Sequence, residues 1–266
     1  MKAGGKISFS MYKIPELPDK MILRGMWGGR MDPVGLQVER VWRCWQLFAA
    51  RGNFMAHPWK GFDSESRGFP VVSFEDLRKD MTFTAEEDCE SSFIFSQRVG
   101  EWREDMQPGL SLSLWPCRPR GWDGFLANQV MVEMEAGLDR NGSVLTPLPV
   151  DWLLGIGTSL VTDFVDVWIP DAVSLDCGAL MKTPHRPGVA YPVVGFVSWL
   201  SDSVVDHRLL LPDAPIKQRY NSGTIIGICP DSLDPLKDAI ELAESVYQAG
   251  ILSMIPFIQG QPNPQH

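Results

Sequence analysis

The chain has 266 residues, of which 44% are hydrophobic and 21% are charged, so it can bury a sizeable core and does not have the composition of a disordered protein. Its formal net charge of −9 at pH 7 argues against binding to the phosphates of nucleic acids. No run approaches the roughly 18 apolar residues of a membrane span. The N-terminus leads into Ser and Lys rather than an apolar stretch, so no signal peptide is predicted.

The cysteines and histidines indicate neither a disulfide framework nor a zinc site. The five cysteines are odd in number, lie far apart and form no C-x-x-C pair. That pattern is typical of free thiols in a reducing compartment, with a single long-range disulfide as the alternative. None of the four histidines is at ligand spacing from a cysteine or another histidine. We therefore expect a cytoplasmic protein with no bound metal.

The first half of the chain contains both helix and strand patterns. Apolar side chains recur at helical spacing between Asp32-Pro33, an N-cap followed by proline, and Gly52-Asn53, a typical helix end. Residues 53–72 are predicted as loop, and Ser73 as the N-cap of a short helix over residues 73–79. Period-two alternation predicts strands at residues 7–14, 110–115 and 129–136. Two further strands are predicted at residues 20–27, before Gly28-Gly29, and at residues 92–99.

The second half follows the same rules. A helix is predicted over residues 147–166, followed by a strand or an extended link at residues 167–169. A last helix is predicted over residues 233–249, with Ser232 and Asp234 as alternative N-caps. Strands are predicted at residues 193–200, 208–211 and 223–229.

These elements predict an α+β fold with mostly antiparallel sheet or sheets and three main helices. Two loosely duplicated halves, each a helix followed by about three strands, are an alternative organisation. We predict one domain over residues 1–258, with any sub-division near residues 137–147. The Pro/Gln-rich residues 259–266 are predicted to form a flexible tail.

Charge is segregated along the chain. Residues 63–108 carry twelve acidic side chains against five basic ones, whereas the first 62 residues carry ten Lys or Arg against four Asp or Glu. An acidic patch repels DNA and RNA but attracts a basic protein surface, such as that of a nuclease. The alternative is a solvated surface with no partner.

Catalytic patterns are weak. The sequence has no G-x-S-x-G and no Walker A motif, and Gly155-Ile156-Gly157 lies inside a helical pattern rather than after a strand. Asp163 and Asp166 share a predicted helix face, and Asp171 follows in the loop. Paired carboxylates can bind a metal or perform acid–base chemistry, so a metal-dependent hydrolase is one hypothesis. The alternative is that they are helix-end and turn carboxylates.

Four short motifs occur in a characteristic order. They are Trp27-Gly28-Gly29-Arg30, Leu112-Ser113-Leu114-Trp115, Val167-Trp168-Ile169-Pro170-Asp171, and residues 191–201, which read YPVVGFVSWLS. Together they resemble motifs of the bacterial immunity protein 52 family. The last motif departs from the family pattern, because Phe196 and Trp199 stand where Trp and Tyr are expected.

Members of that family are encoded beside polymorphic toxins with a restriction-endonuclease-like nuclease domain, Tox-REase-5, often delivered by type VI secretion. The resemblance implies a non-enzymatic immunity protein that neutralises a cognate nuclease toxin by stoichiometric binding, with no cofactor. A hydrolase or a non-enzymatic adaptor are the alternatives. The hypothetical toxin-binding residues are Glu86, Glu87, Asp88, Glu90, Glu101, Trp102, Glu104 and Asp105. The motif residues expected to be structural are Trp27, Gly28, Arg30, Trp115, Trp168, Pro170, Asp171, Gly195 and Trp199.

Overall fold

The computed structural model describes residues 18–28, 32–56, 59–62, 68–87, 93–96, 107–115, 128–138, 143–188, 190–206, 209 and 211–255. Its helices are α1 (Val34–Arg51), α2 (Phe74–Glu87), α3 (Val150–Gly155), α4 (Gly157–Trp168) and α5 (Pro235–Gln248). Its strands are β1 (Lys20–Trp27), β2 (Lys60–Phe62), β3 (Gly68–Pro70), β4 (Phe93–Ser96), β5 (Gly109–Trp115), β6 (Asn128–Glu135), β7 (Gly137–Leu138), β8 (Val144–Thr146), β9 (Ala172–Asp176), β10 (Val197–Ser201), β11 (Ile216–Tyr220) and β12 (Gly223–Gly227).

Ten of these strands form one continuous antiparallel sheet. The strand order is β11-β12-β10-β9-β1-β6-β5-β4-β2-β3, and β7 pairs with β8 in a separate hairpin. The first of the described strands, β1, therefore lies in the middle, between β6 and β9. The predicted α+β class with mostly antiparallel sheet is confirmed.

The two faces of the sheet are covered differently. On one face α4 packs against β1, β9 and β10, and α1 packs against α2 and α4. Gly25 allows the close approach, because a Cβ there would lie 3.1 Å from the Phe164 ring of α4. On the other face, the segment between β9 and β10 (residues 177–196) crosses the sheet beneath α5. The Tyr247 hydroxyl of α5 accepts a hydrogen bond from Val194 N at 2.9 Å.

Local capping rules explain the helix starts only in part. Ser73 Oγ accepts from Asp76 N at the start of α2, and Asp234 Oδ1 accepts from Lys237 N at the start of α5, so these two predicted caps are confirmed. Asp32 does not cap α1; its carboxylate instead accepts from Arg40 of the same helix. Gly52, with φ +69°, ends α1 as predicted.

Several predicted boundaries in the first half are wrong. The predicted loop 53–72 contains a 3₁₀ turn, Asn53–Ala56, and the short strands β2 and β3. The second helix runs on to Glu87 instead of ending at residue 79. Residues 7–14 lie outside the described part of the chain.

The second half holds the larger corrections. The helix predicted over residues 147–166 is divided at Ile156 and ends at Trp168, so residues 167–169 form no strand. The described residues therefore contain four substantial helices and a short one rather than three. Strands β9 and β11 were not predicted, whereas Leu209 and Leu211 of the predicted strand 208–211 lie outside any strand.

The boundary suggested near residues 137–147 coincides with the β7–β8 hairpin, while the main sheet contains strands from both sides of it. The single domain, the duplication and the flexible tail stay predictions. In the part of the chain described above, no helix combines the length and the hydropathy needed to cross a bilayer.

Candidate functional site

The predicted acidic contact segment lies mostly outside the described residues. Glu86 and Glu87 form the C-terminal end of α2. Asp88, Glu90, Glu101, Trp102, Glu104 and Asp105 are not described, and neither is the motif residue Arg30. The toxin-binding role of this segment stays a prediction.

The family-like motifs, by contrast, meet at one end of the sheet, which we call the motif end. β1 ends there at Trp27, opposite Asn128, and β5 ends there at Trp115, opposite Gln129. The turn before β9 is bound to the end of β1, because the Asp171 N–H donates to Met26 O at 2.8 Å. Four segments distant in sequence thus contribute to one corner of the fold.

Asp171 is the residue that ties these segments together. One carboxylate oxygen accepts from Gly28 N at 2.9 Å, and the other accepts from Ser203 Oγ at 2.9 Å. Its carbonyl accepts from Ser201 N at 3.0 Å, at the end of β10. The Trp-Gly motif, the Trp-x-Pro-Asp motif and the end of the fourth motif are therefore held together by hydrogen bonds.

The tryptophans of two motifs stack beneath this corner. The rings of Trp27 and Trp168 lie 5.7 Å apart with an interplanar angle of 27°, and Phe164 lies 6.2 Å from Trp168. Trp27 is 2% exposed and Trp168 is fully buried. Each buries a large apolar surface where a strand or a helix ends, so both rings can fix the direction of the chain.

The fourth motif depends on close backbone approach. A Cβ at Gly195 would lie 2.2 Å from Leu175 O, so no larger residue fits without displacing β9. Gly195 N donates to Ser198 Oγ at 2.8 Å, and the Trp199 indole donates to Tyr220 O at 2.9 Å. These contacts fix β10 between β9 and β12.

The three aspartates of the hydrolase hypothesis have separate partners. Asp163 pairs with Arg51, and Asp171 is held as described above. Asp166 accepts from Tyr220 Oη at 2.8 Å and from Asn221 Nδ2 at 3.2 Å. Burial and the hydrogen bond to Asp166 raise the pKa of Tyr220 to about 12, so its hydroxyl remains a donor. Within the described ranges no three His, Cys, Asp or Glu residues are grouped as metal ligands would be.

A buried charged pair lies on the opposite face of the sheet, at the centre. Arg24 Nε donates to Asp176 Oδ2 at 3.3 Å, and the two side chains are 5% and 0% exposed. Ser174 Oγ donates to the same oxygen at 2.6 Å, while Asp176 Oδ1 has no hydrogen-bond partner among the described residues. The other two guanidinium nitrogens donate to the sulfur atoms of Met131 and Met181, which are weak acceptors.

Burial dominates the electrostatics of this pair. It raises the pKa of Asp176, against the opposing influence of Arg24 and Ser174. Arg186, on the segment that crosses this face, has its pKa lowered mainly by burial and is itself attracted to Asp176. Its Nη2 donates to Tyr191 O at 3.1 Å. The Arg24–Asp176 pair therefore links the middle of the sheet to the segment between β9 and β10 that lies over this face.

The sequence offered no signal for the Arg24–Asp176 pair, because its members are 152 residues apart and Asp176 belongs to the unpredicted strand β9. Alternation along β1 could have placed Arg24 on the face opposite Leu23 and Gly25. Alternation could not have identified Asp176 as the partner of Arg24. The cysteines that are described, Cys44, Cys177 and Cys229, are free thiols, and burial raises the pKa of Cys44 to about 12.

Comparisons with known proteins give matches among solved structures alone. No family model and no curated protein matches the chain. Among solved structures, the Pseudomonas aeruginosa T6SS protein PA0821 aligns with 85% of this chain and 76% of its own, at 12% sequence identity and a TM-score of 0.45. We therefore derive the function from the chain's own residues.

Proposed function

We propose that the protein is an immunity protein, which binds a cognate nuclease toxin of a type VI-secreted, polymorphic system and neutralises it by stoichiometric inhibition. The observation that carries the proposal is the meeting of the family-like motifs at the motif end, through the hydrogen bond from Gly28 N to Asp171. Short motifs that match a family by chance have no reason to be neighbours in the fold. Here they share one corner, as segments of a common framework would.

The charge distribution agrees with this proposal. Nucleases are basic where they hold the phosphate backbone. Residues 63–108 carry twelve acidic side chains and five basic ones, an excess of seven negative charges. Charges of opposite sign accelerate the encounter of two proteins, whereas the lifetime of the complex depends on a desolvated central cluster. An inhibitor of this kind needs a rigid scaffold and a surface complementary to its toxin. It needs no active site.

The first test is stoichiometry. The nuclease encoded beside this gene is titrated with the purified protein, and DNA cleavage is measured at each ratio. Inhibition should be complete near one equivalent, because each toxin must be occupied by one inhibitor. Progressive loss of toxin activity at much lower ratios would instead indicate an enzyme that modifies the toxin, and no inhibition at any ratio would favour an adaptor.

The second test is the association rate. Replacing Glu86, Glu87 and Asp88 by Lys should slow association with the toxin by about one to two orders of magnitude at low salt. Dissociation should change less, because it depends on desolvated contacts. The difference in association rate between the parent and the variant should narrow as salt is added, since exposed charges are screened over about 8 Å at physiological ionic strength.

A matched control separates local charge from net charge. Reversal of Asp231, Glu241 and Glu244, at and near α5, changes the net charge of the protein by the same amount. This variant should associate almost as fast as the parent protein. Equal rates for the parent and both variants at low ionic strength would show that residues 86–88 are a solvated surface and that the interface lies elsewhere.

A further inference from the structure

The guanidinium of Arg24 is buried against poor hydrogen-bond acceptors. Among the described residues, the one oxygen that accepts from it is Asp176 Oδ2, at 3.3 Å. Its terminal nitrogens donate instead to sulfur, Nη1 to Met131 Sδ at 3.2 Å and Nη2 to Met181 Sδ at 3.1 Å. Thioether sulfur is a weak acceptor, and a buried donor that loses its water needs a strong one. Two donors of a buried cation are therefore only weakly satisfied.

The two methionines that contact Arg24 differ in their exposure to solvent. Met131 lies in β6, in the interior of the sheet, and is 8% exposed. Met181 lies in the 3₁₀ turn Leu180–Lys182, within the segment between β9 and β10, and it is partly exposed. Oxidation of sulfur in proteins follows its exposure. A small oxidant in solution therefore reaches Met181 more readily than Met131, although both sulfur atoms contact the same guanidinium.

Oxidation of Met181 would supply the strong acceptor that Arg24 lacks. A sulfur lone pair attacks one oxygen of hydrogen peroxide, the S–O bond forms and the O–O bond breaks. The departing hydroxide takes the proton of the transferred oxygen and leaves as water. Sulfur thus loses an electron pair to the peroxide and becomes a sulfoxide. A sulfoxide usually disrupts a core because its oxygen is polar, but the rotatable bonds of methionine let this oxygen turn toward the buried cation.

We propose that Met181 is a reversible oxidation site, whose sulfoxide oxygen accepts from Arg24 Nη2 in place of the sulfur. The oxidant is a peroxide, and methionine sulfoxide reductases restore the thioether. Arg24 lies in β1 and Met181 in the segment between β9 and β10. The bond between them therefore holds that segment to the middle of the sheet. Hydrogen bonds from a charged donor to a good acceptor are strong, so oxidation tightens this attachment and stabilises the fold.

The test compares the full-length parent with Met181→Leu, before and after limited treatment with hydrogen peroxide. Leucine keeps the apolar volume and cannot be oxidised. Peptide mass spectrometry should find Met181 oxidised together with Met254, which is 39% exposed, while Met131 stays reduced. The change in Tm on oxidation should be about 2–4 °C more positive in the parent than in Met181→Leu. The other methionines are oxidised equally in both proteins, and a sulfoxide reductase should remove the difference.

Met181→Gln gives a second readout that needs no oxidant. The amide oxygen of glutamine is bonded to the atom that replaces the sulfur, as the sulfoxide oxygen is. Met181→Gln should therefore melt about 2–4 °C above Met181→Leu, whereas the matched pair Met254→Gln and Met254→Leu, at an exposed methionine, should melt together. The proposal is overturned if Met181 stays reduced until the protein unfolds, or if oxidation lowers the Tm of the parent at least as much as that of Met181→Leu. Equal melting of Met181→Gln and Met181→Leu would also overturn it.

Discussion

Replacing Trp168 by alanine should lower the free energy of unfolding by about 3–5 kcal/mol. The ring is fully buried, stacks on Trp27 and contacts Phe164. Its removal leaves a cavity where α4, β1 and the turn before β9 meet. The change is measured by chemical denaturation, with far-UV circular dichroism as the signal, and we expect lower expression to accompany it.

Trp42→Ala is a suitable comparison, because that ring is only partly buried at the edge of the core. Trp42→Ala should lower the free energy of unfolding clearly less than Trp168→Ala does. The toxin affinity of the Trp168→Ala protein, measured at a temperature where it is still folded, should remain near that of the parent. A variant with the melting behaviour of the parent and no toxin binding would show that Trp168 belongs to the interface rather than to the framework.

Replacing Arg24 by methionine should cost about 3–5 kcal/mol at pH 8, since it leaves the Asp176 carboxylate buried without its ion-pair partner. The cost should depend on pH. Burial already raises the folded-state pKa of Asp176, so this group favours folding most at low pH, and that contribution is lost as the pH rises through the folded-state pKa. Without Arg24 the pKa rises further, and the deficit should therefore shrink between pH 8 and pH 5.

Two controls sharpen this measurement. Arg219→Met removes an exposed pair with Asp202 and should change the stability little at either pH. The double variant Arg24→Met/Asp176→Asn should recover part of the loss at pH 8, because no uncompensated charge remains buried. A deficit that is equal at both pH values and is not reduced in the double variant would show that the lost packing of Arg24, rather than the charge of Asp176, causes it.

The elements that the sequence predicted well are those whose signals are local. β1 is a short, mostly apolar run that ends before Gly28-Gly29, so both of its ends could be placed. Ser73 and Asp234 satisfy helix N–H groups from within one turn, so their caps could be recognised without knowledge of the fold. The same rule failed for Asp32, because its carboxylate is drawn to Arg40 two turns later along α1.

The elements that were missed depend on distant partners. β9 carries Ser174 and Asp176 on one face, and both are buried because Arg24 and the covering segment enclose them. No window of sequence around β9 contains that information. β11 is an edge strand with three exposed polar residues in its middle, which is ordinary for an edge and lacks the apolar signal of a buried strand.

The candidate site was predictable in the same uneven way. The motif residues could be named in advance, and three of the motif segments meet through Asp171. Their contacts, and the left-handed conformation of Ile169 at the end of α4, could not be foreseen, because a β-branched residue rarely adopts that conformation.

The central position of β1 has a consequence for the time at which the sheet can be completed during synthesis. β1 leaves the ribosome well before its neighbour β9, because Asp176 of β9 lies 152 residues after Arg24. At ordinary rates of synthesis that interval takes about 8–30 s. The middle of the sheet must wait for this long-range pairing, which is slow by its topology. A partly synthesised chain therefore keeps one edge of β1 without its partner β9 for at least that interval.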